Sequence, residues 1–220
     1  MKKTFTFYKD KNLINFNISS QVLKRFNKIF KTNIYQSNYS HIREIRKNEI
    51  LNEKIFFSLI DVLKKKLIFL SGCENLIFDK LWLVKSTSNE TKKNLLPYLP
   101  HIDKQRYYKA MIYLHKVSKY HGPIKLGIVK NGIDIEKIRK KLPKNYKSKG
   151  LNVMTSNELD GELSPMTGGI GDVIFFDTNT PHAAGIIKKG YSRKVIRFDF
   201  KISSNKSPLI SLKKVINWLR

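Results

Sequence analysis

Three side chains of this sequence have the types and spacing of a metal site: His101, Asp103 and His182. His101 and Asp103 form a His-x-Asp pair, and an extended segment would direct both side chains to one face because strand side chains alternate with period two. His182 follows a strongly apolar strand and a turn. Two imidazoles and one carboxylate can occupy one face of an octahedral metal ion and leave three positions open. We therefore predict these three residues as the metal ligands of a catalytic centre.

An arginine beside this centre could bind an anion. Arg193 lies eleven residues after His182, and we expect one hairpin to connect them. With a loop at residues 188–191, His182 would lie opposite Arg197, and Arg193 would lie about 13 Å further along the strand. A five-carbon dicarboxylate could bridge that gap and pair bidentately with the guanidinium of Arg193. For Arg197, an ion pair with a carboxylate such as Asp199 and a functional role are equally good interpretations.

The elements that must position these residues are mostly strands. Apolar and β-branched runs predict a β-rich core at about residues 76–202, with a short helix at 133–142. Residues 19–72 predict helices that pack against a sheet, and residues 208–219 predict an amphipathic C-terminal helix. The N-terminal helices are expected near residues 19–30, capped by Ser19 or Ser20, near 42–50, and at 54–70 with Gly72 as the stop. The fold class is thus mainly β with flanking helices, in one domain over residues 1–220.

The overall composition narrows the protein class. A hydrophobic content of 41% suits a globular chain, and the single Cys73 excludes an internal disulfide and a thiolate zinc cluster. Charged residues near position 10 interrupt the apolar character of the first segment, so we expect no signal peptide. No apolar run is long enough to cross a bilayer, so we expect no membrane partner and a cytoplasmic location.

The net charge of +26 is the most unusual global property, since only 17 residues are acidic. Residues 124–150 alone hold nine lysines and arginines against Asp134 and Glu136. This charge could serve a polyanionic partner such as nucleic acid, or it could be a solvated surface. The solvated surface is the preferred interpretation because no nucleic-acid-binding motif accompanies the charge.

The motifs, taken in order, resemble the phytanoyl-CoA dioxygenase-like family of iron(II)- and 2-oxoglutarate-dependent oxygenases. The resemblance covers residues 81–200 and rests on LWLVKS, PHID, IYLHKVSKYHGPIKLGIVKNG, and GDVIFFDTNTPHAAG followed by Arg193. It implies a double-stranded β-helix, two antiparallel sheets closed as a jelly roll. It also implies iron(II) on the three ligands and 2-oxoglutarate on Arg193. The further candidates for binding 2-oxoglutarate are Lys85, Arg197 and Tyr113, although core packing is the preferred interpretation of Tyr113.

By the same resemblance, the protein is expected to be a dioxygenase that uses O2 and 2-oxoglutarate, releases succinate and CO2, and hydroxylates a small-molecule substrate. Asp103 favours hydroxylation, since related halogenases replace this carboxylate by a small residue. The loop before Gly122 departs from the family by carrying His115, Lys116 and Lys119 in place of acidic residues, so the family's substrates are not carried over. Neither His115 nor His121 is expected to bind metal. Two alternatives are an oxygenase acting on a nucleic-acid substrate and a non-catalytic jelly-roll binding protein.

Overall fold

The computed structural model describes residues 5–30, 35–36, 40–45, 47–88, 96–147 and 149–203. Within these residues the chain forms ten strands and four helices. The helices are α1 (Phe16–Ile29), α2 (Lys47–Ile50), α3 (Lys54–Ser71) and α4 (Ile135–Lys141). The strands are β1 (Phe7–Asp10), β2 (Tyr35–Gln36), β3 (Ser40–Ile45), β4 (Leu76–Ser86), β5 (Tyr108–Tyr113), β6 (Lys125–Leu126), β7 (Ser164–Pro165), β8 (Val173–Asp177), β9 (His182–Ala183) and β10 (Arg193–Ile202).

Two antiparallel sheets build the core. The major sheet has the order β1-β8-β5-β10-β4-β3-β2, and the minor sheet has the order β7-β6-β9. Apolar side chains from the inner face of the major sheet pack against Ile124 and Leu126 at the minor sheet. This arrangement confirms the predicted mainly-β fold and its double-stranded β-helix.

The other face of the major sheet is covered by α1 and α3, as predicted. Buried residues of both helices, including Phe26 and Leu63, share one cluster with Phe175 and Phe198 of the sheet. The helix α3 ends at Gly72, which adopts a left-handed conformation with φ of 65°, and this C-cap confirms the predicted stop. No helix among the described residues is both long and apolar enough to span a membrane.

Alternation along β10 decides which side chains face the helices and which face the interior. Ile196 and Phe198 belong to the helix-side cluster, whereas Val195 packs between the sheets. Arg193 and Arg197 share the parity of Val195 and line a cavity between the sheets. The same alternation applies to β4, which pairs with β10 in register.

Three predictions about elements need correction. The cap of α1 is Asn15, whose side chain accepts from Ile18 N, and Ser19 lies inside the helix with its hydroxyl on the Ile14 carbonyl. Residues 42–45 of the helix predicted at 42–50 are strand, since β3 extends the major sheet along β4, whereas residues 47–50 form helix α2 as predicted; pairing in the sheet overrides the local helical pattern at 42–45. The predicted hairpin from His182 to Arg197 is also wrong. The C-terminal helix predicted at 208–219 lies outside the described residues.

The chain crosses between the sheets where a hairpin was predicted. His182 pairs with Leu126 in the minor sheet, whereas Arg197 pairs with Trp82 and Met111 in the major sheet. Counting register across a hairpin assumes that both strands share one sheet, and that assumption fails here. His182 and Arg193 still reach the same cavity, from opposite walls.

Candidate metal centre

Backbone pairing holds the two candidate histidines side by side. The amide of His101 donates to the carbonyl of His182 at 2.9 Å, and the amide of His182 donates back to the carbonyl of His101 at 2.9 Å. The two imidazole rings are therefore neighbours, with centroids 4.5 Å apart. A two-residue strand and one isolated bridge are sufficient to position both ligands.

A backbone carbonyl holds Nδ1 of each imidazole, which leaves Nε2 to face the site. The Nδ1 atom of His101 lies 2.8 Å from the Leu99 carbonyl, and Nδ1 of His182 lies 2.9 Å from the Thr180 carbonyl. A carbonyl oxygen can only accept, so both Nδ1 atoms carry a proton and Nε2 is the ring nitrogen that each histidine can offer to a metal. Burial, together with the neighbouring His182, lowers the pKa of His101 to about 3, which keeps the His101 ring neutral.

The backbone that carries Asp103 is held by several hydrogen bonds. Ile102 is fully buried in a small apolar cluster, and Asn152 exchanges hydrogen bonds of 2.9 and 3.1 Å with its backbone. Arg139 of α4 donates its Nε to the Asp103 carbonyl at 2.8 Å. With Ile102 turned into this cluster, the flanking His101 and Asp103 point into the cavity. The ligand atoms of His101, Asp103 and His182 all lie within 4.8 Å of one another.

A buried lysine that the sequence analysis missed completes this wall. Lys109 of β5 is 5% exposed, and its Nζ donates to Asp103 Oδ2 at 2.5 Å. The same Oδ2 lies 3.7 Å from His182 Nε2. Burial alone would raise the pKa of Asp103, but Lys109 and His182 hold it well below its usual range. A single lysine inside the apolar run YYKAMIYL was the sequence signal for it.

Arg193 lies in the same cavity without an acidic partner among the described residues. It is 8% exposed, and its Nη1 donates to the Gly122 carbonyl. Its Nε is buried with no hydrogen-bond partner. Burial lowers the pKa of Arg193, while Tyr113 and Tyr98 nearby act in the opposite direction. A buried cation with an orphaned donor is suited to an anion that enters the cavity.

Two glycines allow the backbone to close around Arg193. Gly122 has φ of +63°, and a Cβ there would lie 2.5 Å from the Gly185 carbonyl oxygen. A Cβ on Gly185 would lie 2.3 Å from the Pro123 carbonyl oxygen. Two chain segments therefore touch backbone to backbone at this end of the cavity, where any side chain would push them apart.

Of the further candidates for binding 2-oxoglutarate, Arg197 faces the cavity with its charge already paired. Its Nε and Nη2 donate to Asp199 at 2.8 and 3.1 Å, and its guanidinium stacks 5.1 Å from the Trp82 ring centre. The ion-pair interpretation of Arg197 is therefore the one that the structure supports. Tyr113 also faces inward but is fully buried, and its hydroxyl donates to the Met166 carbonyl at 2.6 Å. Burial raises the pKa of Tyr113 to about 12.

The structure does not bring Lys85 to the cavity. Its neighbours Val84 and Ser86 line the cavity, and Lys85 lies opposite Lys194 in the register of β4 and β10. Alternation therefore directs the Lys85 side chain to the helix-covered face of the major sheet. The resemblance identified the strand correctly, but a lysine one position out of phase cannot reach the interior.

The cavity between the sheets has a volume of about 510 Å³. Its walls combine the metal-site residues with aromatic and apolar side chains, including Trp82, Tyr98, Met111 and Phe176. Its cationic residues are Lys109, Lys147, Arg193 and Arg197. A pocket of this size can hold a small dicarboxylate and leave room for a second organic molecule.

The same fold occurs in solved enzymes, two of which were solved with a metal ion and 2-oxoglutarate (α-ketoglutarate) bound. The epimerase SnoN from nogalamycin biosynthesis, solved with Fe3+, α-ketoglutarate and nogalamycin RO, matches with TM-score 0.62 at 13% identity over 90% of this chain and 80% of that chain. HygX from Streptomyces hygroscopicus, with nickel and 2-oxoglutarate, matches with TM-score 0.61 at 13% identity over 91% and 84%. A prolyl-4-hydroxylase from Pseudomonas putida matches with TM-score 0.59 at 10% identity over 91% and 95%.

This chain has the fold of the iron(II)- and 2-oxoglutarate-dependent oxygenases. No protein-family model matches the sequence, and no curated protein matches it either. The specific likeness to phytanoyl-CoA dioxygenases thus rests on the motifs alone. The grouping of His101, Asp103 and His182, which rests on the distances between their ligand atoms, is consistent with these structural matches.

Proposed function

We propose that this protein is an iron(II)- and 2-oxoglutarate-dependent dioxygenase. The observation that carries the proposal is that His101, Asp103, His182 and Arg193 line one cavity. The two imidazoles, each with its Nδ1 on a backbone carbonyl, and the ionised carboxylate form a donor set that suits iron(II). Arg193 supplies a buried cation for the distal carboxylate of 2-oxoglutarate.

Each residue has a definite task in this proposal. His101 and His182 present Nε2, because their Nδ1 protons are held by backbone carbonyls. Asp103 supplies an oxygen, and Arg193 orients the co-substrate from the closed end of the cavity. When bound, iron(II) and 2-oxoglutarate would supply the oxidising chemistry, with succinate and CO2 as products. The apolar walls exclude water from the reacting groups.

The substrate in this proposal is a small molecule that becomes hydroxylated. SnoN and HygX have been solved with nogalamycin RO and with hygromycin B, respectively, so the fold admits small organic molecules. The carboxylate at position 103 and the eleven-residue spacing between His182 and Arg193 support a hydroxylase related to phytanoyl-CoA dioxygenases. A cytoplasmic location belongs to the same proposal.

The direct test is succinate formation from 2-oxoglutarate by purified protein with iron(II) and oxygen. His182→Ala should abolish both the turnover and the binding of cobalt(II), which is a spectroscopic substitute for iron. His121→Ala is the matched control, since His121 belongs to a different surface and lies outside the cavity lining. Wild-type protein that binds no metal would refute the proposal. Metal binding without turnover of 2-oxoglutarate would instead favour the non-catalytic alternative.

Arg193→Met provides a second and independent readout. The variant should keep its metal affinity but lose 2-oxoglutarate affinity by about 100-fold, since a charge-assisted bidentate pair contributes several kcal/mol. Without ligands it should be more stable than wild type by about 1 to 3 kcal/mol, because a buried, uncompensated cation is replaced by an apolar side chain of similar length. A variant that binds 2-oxoglutarate normally would remove Arg193 from its assigned role.

A further inference from the structure

The segment of residues 137–149 is the most basic stretch of the described chain beside the cavity. It holds seven lysines and arginines in 13 residues and no acidic residue. Six of the seven are lysines, and all six are exposed. None of these lysines forms an ion pair among the described residues. We call these six lysines the basic segment: Lys137, Lys140, Lys141, Lys144, Lys147 and Lys149.

The remaining cation of the stretch, Arg139, fixes the basic segment to the metal centre. It is buried, and it donates to the Asp103 carbonyl at 2.8 Å and to the Thr178 carbonyl at 3.0 Å. It also pairs with Glu136 at 2.9 Å. The lysines of α4 and of the following loop therefore have a defined position relative to the candidate metal ligands, whereas a merely solubilising surface would need no such anchor.

The basic segment also reaches the cavity itself. Lys147 is exposed and at the same time lines the cavity. Its Nζ lies 5.9 Å from the ring centre of Tyr146, and Lys104 Nζ lies 5.7 Å from the same ring. A positive field thus continues from the surface lysines, through the mouth, to the cations of the interior. Such a cleft concentrates anions at its entrance.

We propose that this entrance binds phosphate groups, so that the substrate of the oxygenase is a phosphorylated molecule. The inference rests on the proposed function, because it names the substrate class of that same cavity. Exposed lysines bind phosphates as strongly hydrated point charges. The aromatic walls, with Trp82, Tyr98 and Phe176, would accept a flat ring. A nucleotide unit has both features, and it can come from a free nucleotide or from a single strand of nucleic acid.

The test compares two triple variants that remove the same amount of charge. Lys140→Gln/Lys141→Gln/Lys144→Gln alters the basic segment. Lys116→Gln/Lys119→Gln/Lys189→Gln alters exposed lysines that do not line the cavity. The probe is a fluorescent 15-nucleotide dT strand, and its anisotropy is measured with metal-free protein at several salt concentrations.

The triple variant of the basic segment should bind the dT strand at least tenfold more weakly than wild type. The slope of its log affinity against log salt concentration should fall in magnitude by about 0.7 for each phosphate contact removed. The second should change less than twofold. Lys147→Gln alone should lose affinity as well, since Lys147 joins the surface to the cavity. Equal losses in both triple variants would mean that only the net charge matters, and that result would overturn the proposal. Full affinity in Lys147→Gln would overturn the link to the cavity.

Competitors identify the source of the phosphate. Displacement of the strand by ATP at micromolar concentration supports a free nucleotide as the substrate, and displacement only by unlabelled strands supports nucleic acid. Polyglutamate that competes as well as either one would overturn phosphate recognition. Strand binding is measured without metal, so it does not depend on catalysis. A failure of succinate formation would refute the proposed function, and the binding experiment would still test phosphate recognition by itself.

Discussion

The replacement Lys109→Met is the most informative single change at the metal centre. Lys109 Nζ donates to Asp103 Oδ2 at 2.5 Å, and this oxygen is 3.7 Å from His182 Nε2. The lysine therefore occupies the carboxylate oxygen on the side where a metal would bind. A metal ion and an ammonium group must compete for that oxygen, so removal of the ammonium group should tighten metal binding.

The size of the effect follows from the hydrogen bond that the metal must displace. A hydrogen bond to a charged group contributes about 1.5 to 3 kcal/mol, and about 1.4 kcal/mol corresponds to tenfold in affinity. Lys109→Met should therefore bind cobalt(II) about 10- to 100-fold more tightly than wild type. Methionine keeps the length and the apolar stem of lysine, so the packing near Phe176 should be retained.

Anaerobic titration calorimetry with cobalt(II) measures this difference directly. Lys104→Met is the matched control, because Lys104 adjoins Asp103 in the chain but donates to the Leu142 carbonyl at 2.8 Å. The control should stay within about twofold of wild type, since the Lys104 hydrogen bond is remote from the carboxylate. An unchanged or weakened affinity in Lys109→Met would refute the competition, and it would show that the lysine instead supports Asp103 as a ligand.

Two further predictions concern stability. Gly122→Ala should destabilise the protein by about 1 to 3 kcal/mol more than Gly132→Ala in urea unfolding. Both glycines have positive φ, but of the two only Gly122 would place a Cβ against the Gly185 backbone. Equal losses of stability in the two variants would mean that this crowding is absent. Metal-stripped protein should lose stability as the pH falls from 7 to 5, because the unfolded chain takes up a proton near pH 6.5 that buried His101, with its pKa of about 3, does not. The contribution is about 2 kcal/mol, and His101→Gln should remove that part of the pH dependence.

The sequence was sufficient to select His101, Asp103 and His182 as candidate ligands because each of the patterns that mark them is local. His101 and Asp103 are separated by one residue, so alternation alone places them on one face. The apolar strand Val173–Asp177 and the turn after it mark His182 as the end of a buried element. Helix α3 could be predicted equally well from the sequence, since its apolar periodicity and its terminal glycine indicate the same helix end.

The features of the structure that the sequence did not predict depend on which sheet each strand joins. The pairing of His182 with Leu126, rather than with β10, is a non-local contact that no local pattern contains. The inward parity of β4 likewise depends on its register against β10, and that register turned Lys85 away from the cavity. Strand β3 was mistaken for helix for the same reason, because pairing along the edge of the sheet decided its conformation.

The proposed ligands of the cavity explain why Lys109 and Arg193, two charged residues, lie at buried positions where a core usually has apolar side chains. A stable core would contain apolar residues at both positions, since desolvating a cation is unfavourable. Lys109 is compensated by Asp103 and Arg197 by Asp199, whereas Arg193 has a backbone carbonyl and a nearby pair of tyrosines but no acidic partner within the part of the chain that the structure describes. Once a metal engages Asp103, Lys109 also loses its counter-charge. Two buried cations and the metal then face one cavity, and the two carboxylates of a dicarboxylate co-substrate would offset most of that positive charge. Metal and co-substrate should consequently bind each more tightly in the presence of the other, and Lys109→Met should weaken that mutual dependence.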